Sequence, residues 1–157
     1  MSYIKAIYFD LSTCSENFIK GIEFLEQRSI DESIACFKNA CDSVSISDRM
    51  FPKYKSYYGL SRLLNGDDAG IVICRNLVRK CPHDADVCLN LARAEVFVAN
   101  RKEALRVVDI GLCFSSQHEG LHDLKHKLGI RGRKPVPFLP RNHTFNIVLG
   151  KFLRRKK

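Results

Sequence analysis

ENFIKGIEFLEQRSIDESIACFKNAC, residues 16–41, and DVCLNLARAEVFVANRKEALRVVDIGLC, residues 86–113, carry the reading of the fold. Each divides into a helical stretch, a short polar turn and a second helical stretch. In the first, Phe18, Ile22 and Leu25 recur at i, i+4, i+7, and Ile30, Ile34, Phe37 and Cys41 recur at i, i+4, i+7, i+11, the spacing of amphipathic helices. A small residue sits at the same place in both units: Gly21 precedes Ser33 by 12 residues, and Ala92 precedes Ala104 by 12. The stretch between them, KYKSYYGLSRLLNGDDAGIVICRNLVRKCP, places Gly59 and Gly70 11 apart, which predicts a turn one residue shorter. Ser33, Gly70 and Ala104 then follow one another at 37 and 34 residues.

A two-helix hairpin cannot bury its own apolar faces, so it must stack on neighbours, and about three units are the minimum for stability. The expected turns are RSIDE, NGDDAG, ANRKE and CPHDAD, where acids and Asn-Gly punctuate the apolar periodicity. The insert DSVSISDRMFP lengthens one connection, with Asp48 expected as an N-cap and Pro52 in the first helical turn. Leu121, Leu124 and Leu128, followed by Gly129, predict a last helix covering the end of the stack. Residues 1–13 carry both a helical stripe (Tyr3, Ile4, Ile7, Tyr8, Leu11) and partial strand alternation, with a short helix favoured.

A period near 34, with small residues where paired helices cross, resembles the tetratricopeptide repeat (TPR) family over about residues 16–128. The resemblance rests on Cys88, Leu91, Ala92, Ala104, Val108 and Gly111 in the third unit. In the first it rests on Gly21, Phe24, Ser33, Phe37 and Ala40, and in the second on Tyr58, Gly59, Gly70, Cys74, Leu77 and the closing Pro82. Asn17, Lys20, Arg62 and Glu95 depart from the family pattern. The resemblance implies an all-α, TPR-like helix-hairpin solenoid of three repeats plus a capping helix. It also implies a concave groove in which the first helix of each pair binds a partner protein or peptide. On this chain Lys20, Lys55, Arg62, Asn90 and Arg93 are the expected groove residues, Asn90 standing where the family often bonds a peptide backbone. The basic-and-Asn set with which some members clamp a chain-terminal carboxylate is not assembled, since Asp86 and Ile22 occupy parts of it.

The chain of 157 residues has a formal charge of +9 that is unevenly distributed. Residues 1–128 hold 17 basic and 17 acidic residues, whereas 129–157 hold nine basic residues and no acid. Three parts follow: an N-terminal segment 1–15, a neutral helical body 16–128, and a basic extension 129–157. In the extension, Pro135, Pro137 and Pro140 favour an extended run. Phe145, Val148, Leu149, Phe152 and Leu153 then predict a short amphipathic helix. Apolar residues between the charges favour docking of this extension on the body. The alternatives are an anionic membrane surface or a partner, and nucleic-acid phosphates, reached through Arg131, Arg133, Lys134, Arg141, Lys151, Arg154 and Arg155. The extension also resembles that of uncharacterised bacterial TPR proteins.

Catalysis is not expected. The sequence lacks GxxxxGK[ST], HExxH and GxSxG, and its paired carboxylates fall at helix starts, where acids favour the dipole. Seven cysteines at irregular spacing, with no CxxC, read as reduced, packed thiols. His118, His122 and His126 share one helical face, but i and i+8 lie about 12 Å apart along the axis, so no metal and no cofactor is expected. With no secretory pattern at its start and no apolar run of about 18 residues, the chain is expected to be cytoplasmic.

Overall fold

The computed structural model describes residues 14–129, and among them the chain is all-α: seven helices and no strand. They are α1 (Glu16–Glu26), α2 (Ile30–Asp42), α3 (Phe51–Leu64), α4 (Ala69–Lys80), α5 (Ala85–Phe97), α6 (Arg101–Phe114) and α7 (Glu119–Gly129). The first six form consecutive hairpins α1/α2, α3/α4 and α5/α6. Helix α2 packs on α3, α3 and α4 pack on α5, and α7 packs on α5 and α6. The N-terminal segment before residue 14 and the basic extension from residue 130 lie outside the described residues.

The three hairpins turn in the same way. Each first helix ends with a residue of positive φ: Arg28 at 64°, Gly66 at 88° and Ala99 at 61°. The next amide reaches back five residues, Ser29 to the Phe24 carbonyl (2.9 Å), Asp67 to Arg62 (2.9 Å) and Asn100 to Glu95 (2.8 Å). The positive-φ residue bonds three back, to Leu25, Leu63 and Val96. These paired bonds satisfy carbonyls that a helix C-terminus otherwise leaves open. Only the middle turn uses glycine, so Arg28 and Ala99 hold a left-handed backbone against their own Cβ.

Helix starts are satisfied locally. The Ser15 hydroxyl accepts from Phe18 N–H, Asp84 from the amides of Asp86 and Val87, and Asn100 from that of Glu103. Asp48 acts two residues before the α3 boundary, accepting from Met50 N–H at 2.7 Å, and Pro52 occupies the first turn as expected. Asp67, rather than Asp68, accepts at the start of α4, from Ala69 N–H at 2.9 Å.

The small residues mark close approaches. A Cβ on Gly70 would collide with the Gly59 carbonyl and the Leu63 amide, and one on Gly21 would stand 2.6 Å from the Phe37 ring. Ala92 and Ala104 are both fully buried. At the α1–α3 end the core is aromatic: Phe18 stacks on Tyr54 with centroids 4.6 Å apart and meets Tyr57 edge-on at 5.2 Å. The Tyr54 hydroxyl then accepts from Ser15 N–H (2.9 Å), tying the start of α1 to α3. Towards α7 the core is aliphatic, built on Leu60, Leu63, Val87, Leu91, Val107, Val108, Leu121 and Leu124. Leu64 packs against both parts.

Two outcomes follow for stability. Gly70→Ala should lower it by about 2 kcal/mol, because backbone must move and the better helix propensity of alanine offsets only part of that. Ala99→Gly should raise it by about 0.5–1 kcal/mol, since relief of the left-handed conformation outweighs the entropy of a freer unfolded chain. Urea unfolding midpoints with an unchanged slope would verify both.

Candidate functional site

Lys53, Ser56 and Tyr57 stand at i, i+3, i+4 on α3, opposite Asp86, Asn90 and Arg93 at i, i+4, i+7 on α5. Helical spacing brings each set to one face, and the packing of α3 on α5 joins them. The Lys53 Nζ lies 2.8 Å from Asp86 Oδ2, while His118 Nε2 lies 3.3 Å from Asp86 Oδ1. Leu121 N–H donates to His118 Nδ1 at 3.3 Å, which turns Nε2 toward Asp86. One carboxylate thus holds α3, α5 and the start of α7 together.

Beside it, Asn90 Nδ2 donates to Ser56 Oγ at 2.9 Å, and Ser56 in turn donates to the Lys53 carbonyl at 2.7 Å. Arg93 Nη1 donates to Asn90 Oδ1 at 3.4 Å. Burial pushes the Tyr57 hydroxyl up to about 12, a rise that neighbouring Arg93 and Asn90 only partly offset. Burial also works to raise Asp86, but hydrogen bonds from His118 and Lys53 outweigh it and hold that carboxyl below its ordinary value.

On another side of α5 lies a second network. Glu95 is fully buried and accepts from Arg75 through both oxygens, at 2.7 and 3.0 Å. Asn100 Nδ2 adds a bond at 3.0 Å.

The five expected groove residues separate into two groups. Lys20 is exposed and pairs with Glu16 one turn earlier at 2.6 Å. Lys55 and Arg62 lie at 4.7 and 5.4 Å from the centroid of the Tyr58 ring, and Arg62 pairs with Asp67. These three are accessible. Asn90 is 0% exposed and Arg93 9% exposed, so neither is a solvated side chain on an open face. The polar pattern of α5 reads as an outer face in the sequence because it has helical spacing, yet residues 86–95 are all buried. Lys53, Tyr57, Asp86 and His118 were not singled out as one group: they come from three segments, which the Lys53–Asp86 and Asp86–His118 contacts bring together. Arg131, Arg133, Lys134, Arg141, Lys151, Arg154 and Arg155 lie outside the described residues.

The histidines of the 118–126 face act separately, His118 on Asp86 and His122 on the Ser116 carbonyl at 2.6 Å. Among the described residues no group of three His, Cys, Asp or Glu side chains could hold a metal ion, and no helix is long and apolar enough to cross a membrane. All seven cysteines are unbridged. Burial pushes the thiols of Cys41 to about 11 and of Cys74 and Cys88 to about 12, so these three stay protonated at neutral pH. Compared with models of protein families and with curated proteins, the chain matches none.

Asp86→Asn should cost about 3 kcal/mol at pH 7 by removing the buried carboxylate that pairs with Lys53 and His118. The depressed Asp86 pKa stabilises the fold above the unfolded carboxyl value, and that contribution is lost as pH falls through the folded value. Urea titrations from pH 7 to pH 3 should therefore show a shallower acid loss in the variant than in the natural chain.

Proposed function

We propose that this protein is a non-catalytic adaptor of the tetratricopeptide-repeat type, three stacked hairpins closed by α7, which binds a partner peptide or helix along its first helices. The observation that carries this reading is the thrice-repeated hairpin turn, with Phe24, Arg62 and Glu95 in equivalent bonds. Successive hairpins packed through α2 on α3 and α4 on α5, with α3 beside α5, support a solenoid. Stacked hairpins present a continuous surface whose length grows with each unit, and such surfaces suit extended ligands. Lys20, Lys55 and Arg62 are the accessible polar residues of α1 and α3 assigned to that surface. Asn90 and Arg93 are buried and are not part of it. No cofactor enters this reading, and a cytoplasmic location belongs to it.

A second reading is favoured by one observation, the concentration of nine basic residues and no acid in 129–157. It gives the extension an anionic surface or nucleic acid to bind. Salt separates the two, because binding through many phosphates falls steeply with ionic strength.

Peptide selection against the full-length chain, followed by affinity measurement, tests the adaptor. Lys55→Glu with Arg62→Glu should weaken a selected peptide about tenfold or more, while neutralising Arg154 and Arg155 should leave it within about twofold, scaled to the tenfold equivalent of about 1.4 kcal/mol. Loss confined to the Arg154 and Arg155 variant, with steep salt dependence, would transfer the function to the extension.

A further inference from the structure

The large apolar side chains exposed among the described residues are Ile46, Val72, Phe97, Val98 and Phe114. Three of them meet at one edge. Helices α4 and α5 are joined by a short turn and run in opposite directions, with Arg75 paired to Glu95. Val72 lies one turn before Arg75 and Val98 one turn after Glu95, so the antiparallel packing brings them opposite each other. Phe97 adjoins Val98 and is 54% exposed, at the end of a helix whose residues 86–95 are all buried. The chain leaves α7 beside this edge. Lys125 lies 2.8 Å from Asp109 on α6, and His118, just before α7, lies 3.3 Å from Asp86 on α5. Helix α7 therefore runs back along α6 and in the direction of α5. Eleven residues separate His118 from Gly129, and eleven separate Asp86 from Phe97. At about 1.5 Å of rise per residue, Gly129 comes level with Phe97. The sequence then continues IRGRKPVPFLPR, residues 130–141.

We propose that the edge formed by Val72, Phe97 and Val98 is the docking site of the chain's own extension, which lays Val136, Phe138 and Leu139 on it. Reach favours this occupant. Pro135 is six residues beyond Gly129, about 19 Å in an extended proline-containing run, and packed helices such as α7 and α5 are about 8–10 Å apart. The strip therefore arrives at the edge without crossing the stack, whereas the N-terminal segment is attached at α1, the other end of it. A proline-spaced strip loses little conformational entropy on meeting an exposed aromatic surface. Its tether adds an effective concentration of millimolar order, so a contact too weak to hold a free partner is still occupied. The edge takes the apolar part of the extension and leaves Lys151, Arg154 and Arg155 beyond it. The docking is independent of the adaptor reading and compatible with a basic segment that reaches an anionic surface.

Trypsin cleavage of the full-length chain after Arg141, under native conditions, tests this, because cleavage next to a docked strip follows the population of its open form. The natural chain should be cut there about tenfold or more slowly than a synthetic peptide of residues 130–157, and the protection should not change on dilution. Phe97→Ser should remove the protection, as should Phe138→Ser with Leu139→Ser. Each variant should lower the melting temperature by about 3 °C, and all three substitutions together should lower it no further than the larger single effect, since they break one contact. Cleavage of the natural chain as fast as the peptide would overturn the proposal. So would protection that survives Phe97→Ser, or losses in melting temperature that simply add, which would mean that Phe97 acts within the helical body alone. Protection that falls on dilution would assign the edge to a second copy of the chain and overturn the intramolecular docking. Should Phe97→Ser not fold, Val72→Ser, at a side chain 53% exposed, is judged by the same outcomes.

Discussion

Two helices joined by a short turn cover only one face of each other, and in this protein the uncovered faces converge on α5. That helix touches α3, α4, α6 and α7, and residues 86–95 are buried around its whole circumference. A helix in that position would ordinarily be apolar all round. Here it carries Asp86, Asn90, Arg93 and Glu95 inside, so the packing of its neighbours must also supply their partners. The rest of the molecule is arranged to meet that demand. Helix α3 contributes Lys53, Ser56 and Tyr57, α4 contributes Arg75, and the residues that open α6 and α7 contribute Asn100 and His118.

Such bonds add little net stability over well-packed apolar residues, because desolvation offsets most of the attraction. They are directional, however, and removing one partner leaves a buried charge uncompensated. A slip of α3 against α5 would separate Lys53 from Asp86 and Asn90 from Ser56 together. The aromatic end of the core has a different character. Phe18, Phe37, Tyr54 and Tyr57 form a contiguous ring cluster whose centroids lie 4.6 to 5.5 Å apart, and its cohesion comes from apolar area and ring geometry. Tyr57 belongs to both systems, its ring in the cluster and its hydroxyl beside Arg93.

Much of the architecture was legible because it depends on local periodicity. The apolar stripes of Phe18, Ile22 and Leu25 and of Leu121, Leu124 and Leu128 face the core as their spacing requires. The Gly59–Gly70 approach was readable because only glycine tolerates backbone contact at that distance. The left-handed turns at Arg28 and Ala99 were not, since neither residue type prefers positive φ. Their conformation is imposed by the need of each hairpin to close.

The candidate site was legible only in part. Lys55 and Arg62 were placed on a first helix by their spacing, and both lie over the Tyr58 ring. Asn90 and Arg93 have the same kind of spacing but lie inside, because the same polar periodicity describes a solvated face and a buried hydrogen-bonded one. By itself the sequence determined the helices, most of their ends, the small residues at the crossings and the separation of a neutral body from a nine-cation extension. These follow from composition and from neighbours a few positions apart. Only the tertiary structure decided which polar residues are buried and which partner each receives. Lys53, Asp86 and His118 are 33 and 32 residues apart along the chain, and nothing local to any of them specifies that they meet.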